Sequence, residues 1–133
     1  MLKIGFVNGC FDILHIGHIA LLEYSKSICD YLIVAIDSDE KVMLNKGPNR
    51  PFNTSKDRMA MLRSIRYVDD VKVFSSASEL SKLIQSVKPD IMVVGSDWED
   101  KKVIGAEHAK ELKFFRRIDG YSTTKILENS IDR

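Results

Sequence analysis

Only two cysteines, Cys10 and Cys29, occur in the 133 residues, one inside a motif and one in apolar surroundings, so neither needs the other as a partner. A chain of this length buries about two-thirds of its unfolded surface and can build a core without disulfide or metal staples. A reducing, cytoplasmic setting is therefore expected. Charge of one sign is also missing. Twenty Lys+Arg against nineteen Asp+Glu leave +1, without the basic excess of a general nucleic-acid binder. No apolar run approaches the ~20 residues of a membrane span, and no membrane partner is expected. The start, Met1-Leu2-Lys3-Ile4-Gly5-Phe6, has neither a basic n-region nor a small-residue cleavage site, so no signal peptide is expected. Repeats, low-complexity tracts and linkers are absent, which predicts one domain over residues 1–133. What is present is ordinary globular usage, 44% hydrophobic and 29% charged, and this excludes a disordered or fibrous chain.

Short apolar runs alternate with helical patterns. Lys3–Asn8, Tyr31–Ile36, Asp70–Phe74 and Ile91–Val94 read as strands, with Lys113–Arg116 as a fifth. Helices are predicted over Gly17–Cys29, from a cap at Thr54 or Ser55 with Met59, Met61, Leu62 and Ile65 facing the core, and over Ser78–Val87. A short helix near Ala106–Leu112 and a last one over Thr123–Asn129 complete the set. Gly47, Pro48 and Pro51 make Asp37–Asn53 a loop. This alternation, with strands apolar throughout, predicts an α/β fold: a Rossmann-like, doubly wound, five-stranded parallel sheet with right-handed crossovers. Its ligand crevice lies at the carboxyl ends of the strands, so the loops after strands one, four and five should carry the chemistry.

The first of these loops reads Asn8-Gly9-Cys10-Phe11-Asp12-Ile13-Leu14-His15-Ile16-Gly17-His18. Two imidazoles three residues apart sit where a helix begins. Unpaired backbone N–H groups there favour an anion, and Gly17 lets a phosphate approach the backbone closely. His15 and His18 can each donate to phosphate oxygens. Two blander readings stand beside this one: a core histidine pair, or a zinc site completed by Cys10 and Asp12. A second motif, Arg117-Ile118-Asp119-Gly120-Tyr121-Ser122-Thr123-Thr124, offers a glycine turn and hydroxyls at a helix start, and alone would be an ordinary capped helix. Lys46-Gly47-Pro48-Asn49-Arg50-Pro51 is a loop with two cations, followed by Arg58. Gly95-Ser96-Asp97-Trp98 follows strand four at the expected switch point, where Trp98 is either an aromatic lid over the core or a ligand contact.

Taken together these segments resemble the HxGH nucleotidyltransferase superfamily, which includes cytidylyltransferases, pantetheine-phosphate adenylyltransferases and class I tRNA synthetases. A synthetase would need aminoacyl and tRNA-binding domains for which the chain has no room. Arg117–Thr124 is similar to the R-x-x-G-x-S-T-T signature of glycerol-3-phosphate cytidylyltransferases, as is Asp97-Trp98 to their G-D-D-W. Asn8–His15 and the Lys46–Pro51 loop look like the adenylyltransferase part of ADP-heptose synthases. The resemblance spans Ile4 to Glu128 and implies transfer of a nucleoside monophosphate from NTP to a small phosphorylated sugar or polyol, with loss of pyrophosphate. Its first form is ATP with a heptose 1-phosphate; the alternative is CTP with glycerol 3-phosphate. A nucleotide-binding module without turnover is a third reading.

The resemblance implies that His15, His18, Lys46 and Arg117 serve catalysis at the phosphates. It implies nucleotide contacts from Asn8, Gly9, Cys10, Phe11, Asp12 and Gly17, and from Gly95, Asp97, Gly120, Ser122, Thr123 and Thr124. Trp98 and Arg58 are candidates for the acceptor, Arg58 equally for an internal ion pair. Asp12 is expected to orient the loop. Cys10 is expected to pack near the phosphates rather than act as a nucleophile. No protein-held metal is expected, Mg²⁺ arriving with the triphosphate. The expected assembly is a homodimer.

Overall fold

The computed structural model describes residues 1–116 together with 122, 124, 126 and 127. Its elements are β1 (Ile4–Gly9), α1 (Ile16–Ser27), β2 (Tyr31–Asp37), α2 (Asp39–Lys46), α3 (Ser55–Arg63), β3 (Asp70–Phe74), α4 (Ala77–Val87), β4 (Ile91–Gly95) and β5 (Glu111–Phe115). Two 3₁₀ turns, Ser96–Trp98 and Ala106–His108, lie between β4 and β5. The five strands are all parallel in the order β3-β2-β1-β4-β5, with Val7 opposite Val34 on one side and Val93 on the other. The chain reverses its direction of travel across the sheet between β1 and β4, which places the switch point there.

The apolar strand runs are explained by what covers each face. Successive residues point to opposite sides of a strand. Leu32, Val34 and Ile36 of β2 join Val7 and Val93 under α1 and α3, where Leu22 and Leu62 are fully buried. Ile33 and Ala35 point the other way, joining Phe6 and Met92 under α4 with Leu80 and Ile84. Each such aliphatic side chain, fully buried, contributes roughly 1.5–3 kcal/mol. Carboxylates close the amino-terminal edge of the sheet. Asp30, Asp69 and Asp90 accept from the backbone N–H groups of Lys3, Leu32 and Ile4 at 2.7, 2.8 and 2.8 Å. The cavity described below lies at the opposite, carboxyl edge.

Three expectations need correction. The predicted loop over Asp37–Asn53 contains α2, capped by Ser38, whose Oγ accepts from Lys41 N–H, and stopped by Gly47 at φ 106°. Only Val42 of this helix is buried, while Met43 and Leu44 are exposed, so no apolar stripe announced it. The predicted helix over Ala106–Leu112 is a 3₁₀ turn, and β5 begins at Glu111. There the backbone is claimed by the sheet: Lys110 and Glu111 N–H donate to the carbonyls of Pro89 and Asp90, and Ile91 pairs with Glu111. Met61 is exposed rather than in the core. Thr54 is the α3 cap, accepting from Asp57 N–H. The last predicted helix falls mostly outside the described residues, although Ile126 N–H donates to Ser122 carbonyl at 3.1 Å.

Candidate active site

A cavity of about 470 Å³ opens over the carboxyl ends of the strands. From the first motif it is lined by Asn8, Gly9, Cys10, Phe11 and Asp12, and by His15, Gly17 and His18 at the start of α1. Across the switch point it is lined by Gly95, Trp98, Ser122 and Thr124, and Lys46 reaches it from the end of α2. Trp98 is 42% exposed on its 3₁₀ turn and carries Lys101 5.4 Å from its ring centroid. Asp97 sits exposed on the same turn, off the cavity wall. Arg117, Gly120 and Thr123 lie outside the described residues.

The imidazoles are built into the helix start. His15 is the N-cap of α1, and its Nδ1 accepts from Gly17 N–H at 3.0 Å. His18 returns the bond, its Nδ1 accepting from His15 N–H at 3.2 Å. This is a capping box made from two histidines in place of the usual hydroxyl and carboxylate. The rings stack at 3.9 Å, and Phe11 lies 5.2 Å from His18. Because both Nδ1 atoms accept, each neutral ring carries its proton on Nε2. The preceding turn is unusual: Phe11 and Ile13 both have left-handed backbone, φ 51° and 31°, a conformation that a β-branched residue adopts only when its surroundings hold it.

Asp12 supplies part of that hold. Its carboxylate is buried and accepts from the N–H groups of Phe52 at 2.7 Å, Asn53 at 2.9 Å and Ile13 at 3.1 Å. It thereby pins the segment after Arg50 to the first motif. Arg50 Nε lies 3.6 Å from Asp12 Oδ2, and Arg50 Nε and Nη2 are buried without a hydrogen-bond partner among the described residues. Among the described residues no three His, Cys, Asp or Glu side chains converge as a metal site.

Arg58 takes the internal role of the two open to it. Its guanidinium is fully buried and does not line the cavity. Nε donates to Asn53 carbonyl at 3.0 Å, Nη1 to the carbonyls of Cys10 and Asp37 at 2.9 and 2.8 Å, and Nη2 to Asp39 Oδ1 at 2.8 Å. With these donors engaged, it ties the first motif, the end of β2, the start of α2 and the entry to α3 into one rim. Both thiols are free. Burial pushes the Cys10 thiol up from its ordinary value, against the opposing pull of Lys46 and Arg58. Among the charged residues of the cavity wall, sequence reasoning missed two, Asp37 and Lys41, which form an ion pair at 3.3 Å. Their i, i+4 spacing after a strand was the available signal, hidden by reading the segment as a loop.

Comparison with known proteins agrees with this geometry. Residues 6–129 match the cytidylyltransferase-like family. The chain is 48% identical over 122 residues to the bifunctional protein HldE of Campylobacter fetus subsp. fetus (strain 82-40), covering 92% of this chain and 26% of that protein. It is 48% identical over 126 residues to the bifunctional protein HldE of Helicobacter pylori (strain Shi470), covering 95% and 27%. The chain thus spans about a quarter of the length of the curated relatives it matches. The lipopolysaccharide core biosynthesis protein from Thermoplasma volcanium GSS1 superposes with a TM-score of 0.71 at 27% identity, covering 87% of this chain and 98% of that one. Pantoate-beta-alanine ligase from Francisella tularensis shares the fold, with a TM-score of 0.57 at 18% identity over 96% of this chain and 65% of that one. A family match that runs nearly end to end, over a chain whose cavity opens at the switch point, decides the membership: the chain belongs to the cytidylyltransferase-like family.

Proposed function

We propose that the chain joins ATP to a heptose 1-phosphate, giving the ADP-sugar and pyrophosphate. An acceptor phosphate oxygen attacks the α-phosphorus in line. The new P–O bond forms as the bond from the α-phosphorus to the bridging oxygen of the β-phosphate breaks, and pyrophosphate leaves with that electron pair. Such a transfer needs positioning and charge stabilisation rather than a protein nucleophile. The observation that carries the reading is the histidine capping box: both Nδ1 atoms accept backbone N–H bonds, which puts the proton of each neutral ring on Nε2, the donor this reading assigns to a phosphate oxygen.

His15 and His18 meet the α- and β-phosphates as charge develops, while Lys46 and Arg117 neutralise the departing β,γ-portion. Ser122, Thr123 and Thr124 hold the nucleotide by hydroxyl and N–H contacts beside Gly120. Mg²⁺ enters on the triphosphate with its own water ligands, and Asp12, occupied by three N–H groups, serves the loop. The choice of ATP and heptose is supported by Asn8–His15, by the Lys46–Pro51 loop and by the identity to the HldE proteins. Asp97-Trp98 and Arg117–Thr124 favour CTP with glycerol 3-phosphate as the second reading. A cytoplasmic homodimer acting on small molecules, without nucleic acid or membrane, is part of the same proposal. Among the described residues no helix is long and apolar enough to cross a membrane.

Pyrophosphate release on mixing with ATP or CTP and a panel of phosphorylated sugars and polyols tests both base and acceptor. Release with ATP and heptose 1-phosphate is expected. CTP binding tenfold tighter than ATP, about 1.4 kcal/mol, would install the second reading instead.

A further inference from the structure

Lys46 stands at the far end of a helix that packing holds at a single point. Val42 is the buried residue of α2, and Met43, Leu44, Asn45 and Lys46 after it are all exposed. Gly47 ends the helix with open space where a Cβ would stand, and Pro48 and Asn49 are exposed in turn. The chain is next tied to the first motif at Phe52 and Asn53, whose N–H groups donate to Asp12. Among residues 43–50 the side chain that turns inward is Arg50, only 12% exposed.

Its surroundings give that burial a direction. Arg50 Nε lies 3.6 Å from Oδ2 of Asp12, within ion-pair range of a carboxylate that is itself fully enclosed. Arg50 N–H donates to Gly47 carbonyl at 3.2 Å, and Gly47 N–H donates to Met43 carbonyl at 2.9 Å. These backbone bonds run from Arg50 back through the turn into the last turn of α2, where Lys46 sits. On its other side Asp12 accepts from Ile13 N–H, two residues ahead of His15. Arg50 and Asp12 thus join the turn that follows Lys46 to the loop that leads into the histidines.

A cation in this place works against stability. Nε and Nη2 are buried with no hydrogen-bond partner among the described residues, so the guanidinium gives up hydration for one long ion pair. An apolar chain of equal length would fill the space without that cost. What the guanidinium adds is attraction to one fixed carboxylate, and this determines where the turn settles.

We propose that Arg50 is a positioning residue: its ion pair with Asp12 sets the turn after α2 and so holds Lys46 over the cavity in register with the two histidines. This rests on the reading above, which gives Lys46 to the β,γ-phosphates, and adds what places it there.

Hydrogen exchange, which needs no ligand, first compares wild type with Arg50→Met. The amides of residues 50, 52 and 53 should exchange about tenfold faster in the variant, with those of β2 unchanged. Calorimetric titration with ATP, and with AMP, which lacks the β- and γ-phosphates, then covers Arg50→Met, Lys46→Met and the double variant. CTP and CMP replace them if the wild type prefers CTP. Arg50→Met should weaken ATP about fivefold and AMP less than about twofold, and the double variant should bind ATP no more weakly than Lys46→Met alone. Arg50→Lys keeps the charge without the planar fork and should recover part of the loss. It also carries both comparisons if Arg50→Met does not fold. Unchanged exchange at residues 50–53 overturns the proposal, as does unchanged ATP affinity. ATP and AMP weakened alike overturn the link to Lys46, because the damage then reaches the whole site. A loss in the double variant equal to the product of the single losses also overturns it, by making the two residues independent. Failure of the proposed reaction would look different: the wild type itself would bind neither triphosphate, with hydrogen exchange still deciding whether Arg50 holds the turn.

Discussion

Arg58→Met replaces a fully buried guanidinium by an apolar chain of similar length, and the structure fixes what that costs. Four hydrogen bonds disappear, from Nε to Asn53 carbonyl, from Nη1 to the Cys10 and Asp37 carbonyls, and from Nη2 to Asp39. The Asp39 carboxylate is 40% exposed, so water replaces its lost partner and the ion pair itself contributes little. The three carbonyls decide the magnitude. They face a site with no exposure, and a buried acceptor left unsatisfied costs about 1–3 kcal/mol before relaxation. The total expected is about 3–5 kcal/mol, the range seen when one member of a buried charged pair is removed. For a domain of this size that corresponds to a fall in Tm of about 10–18 °C. Urea and thermal melts followed by circular dichroism at 222 nm measure it. Arg58→Lys keeps the charge but not the planar fork, and should recover only part of the loss. A fall in Tm below about 4 °C for Arg58→Met, near 1 kcal/mol, would refute the reasoning, because the rim would then be held by something other than this side chain.

His15→Asn keeps a good N-cap for α1 while removing the ring, so its stability should stay within about 1 kcal/mol of wild type while turnover falls by about 10²-fold or more; near-wild-type turnover would remove His15 from the chemistry. His18→Ala should show a similar loss of turnover with a smaller change in nucleotide affinity. The backbone N–H of Ile4 and the Lys110 ammonium hold the Asp90 carboxyl below the ordinary aspartate range, so its contribution to stability is present above the unfolded pKa of about 4 and is lost as pH falls through the lower folded value. Asp90→Asn should therefore flatten the acid limb of a Tm–pH profile, and an unchanged limb would count against the bond. Because burial raises the Cys10 thiol, alkylation by iodoacetamide should be slow at neutral pH, should accelerate only above the ordinary cysteine range, and should be slowed further by bound nucleotide; fast labelling at pH 7 would contradict this.

Much of the molecule was determined locally and so could be read along the chain. Tyr31–Ile36 and Ile91–Val94 are apolar at every position because a parallel strand is covered on both faces, and that alone implies helices on both sides. The histidine pair at i and i+3 beside Gly17 also declares itself, since a helix start brings those positions to one end without help from the rest of the fold. Tertiary structure decided the remainder. α2 has one buried residue and forms because Ser38, Asp39 and Gly47 cap and anchor it, which no hydrophobic period reveals. Glu111 joins β5 rather than a helix because β4 offers a strand edge at that height. Arg58 reads from sequence as a cation on a helix, equally suited to an acceptor phosphate. Only the approach of Cys10, Asp37 and Asn53, up to 48 positions away in the chain, turns it inward. A side chain's partners depend on which backbone carbonyls the fold carries to it, and that is decided by tertiary structure.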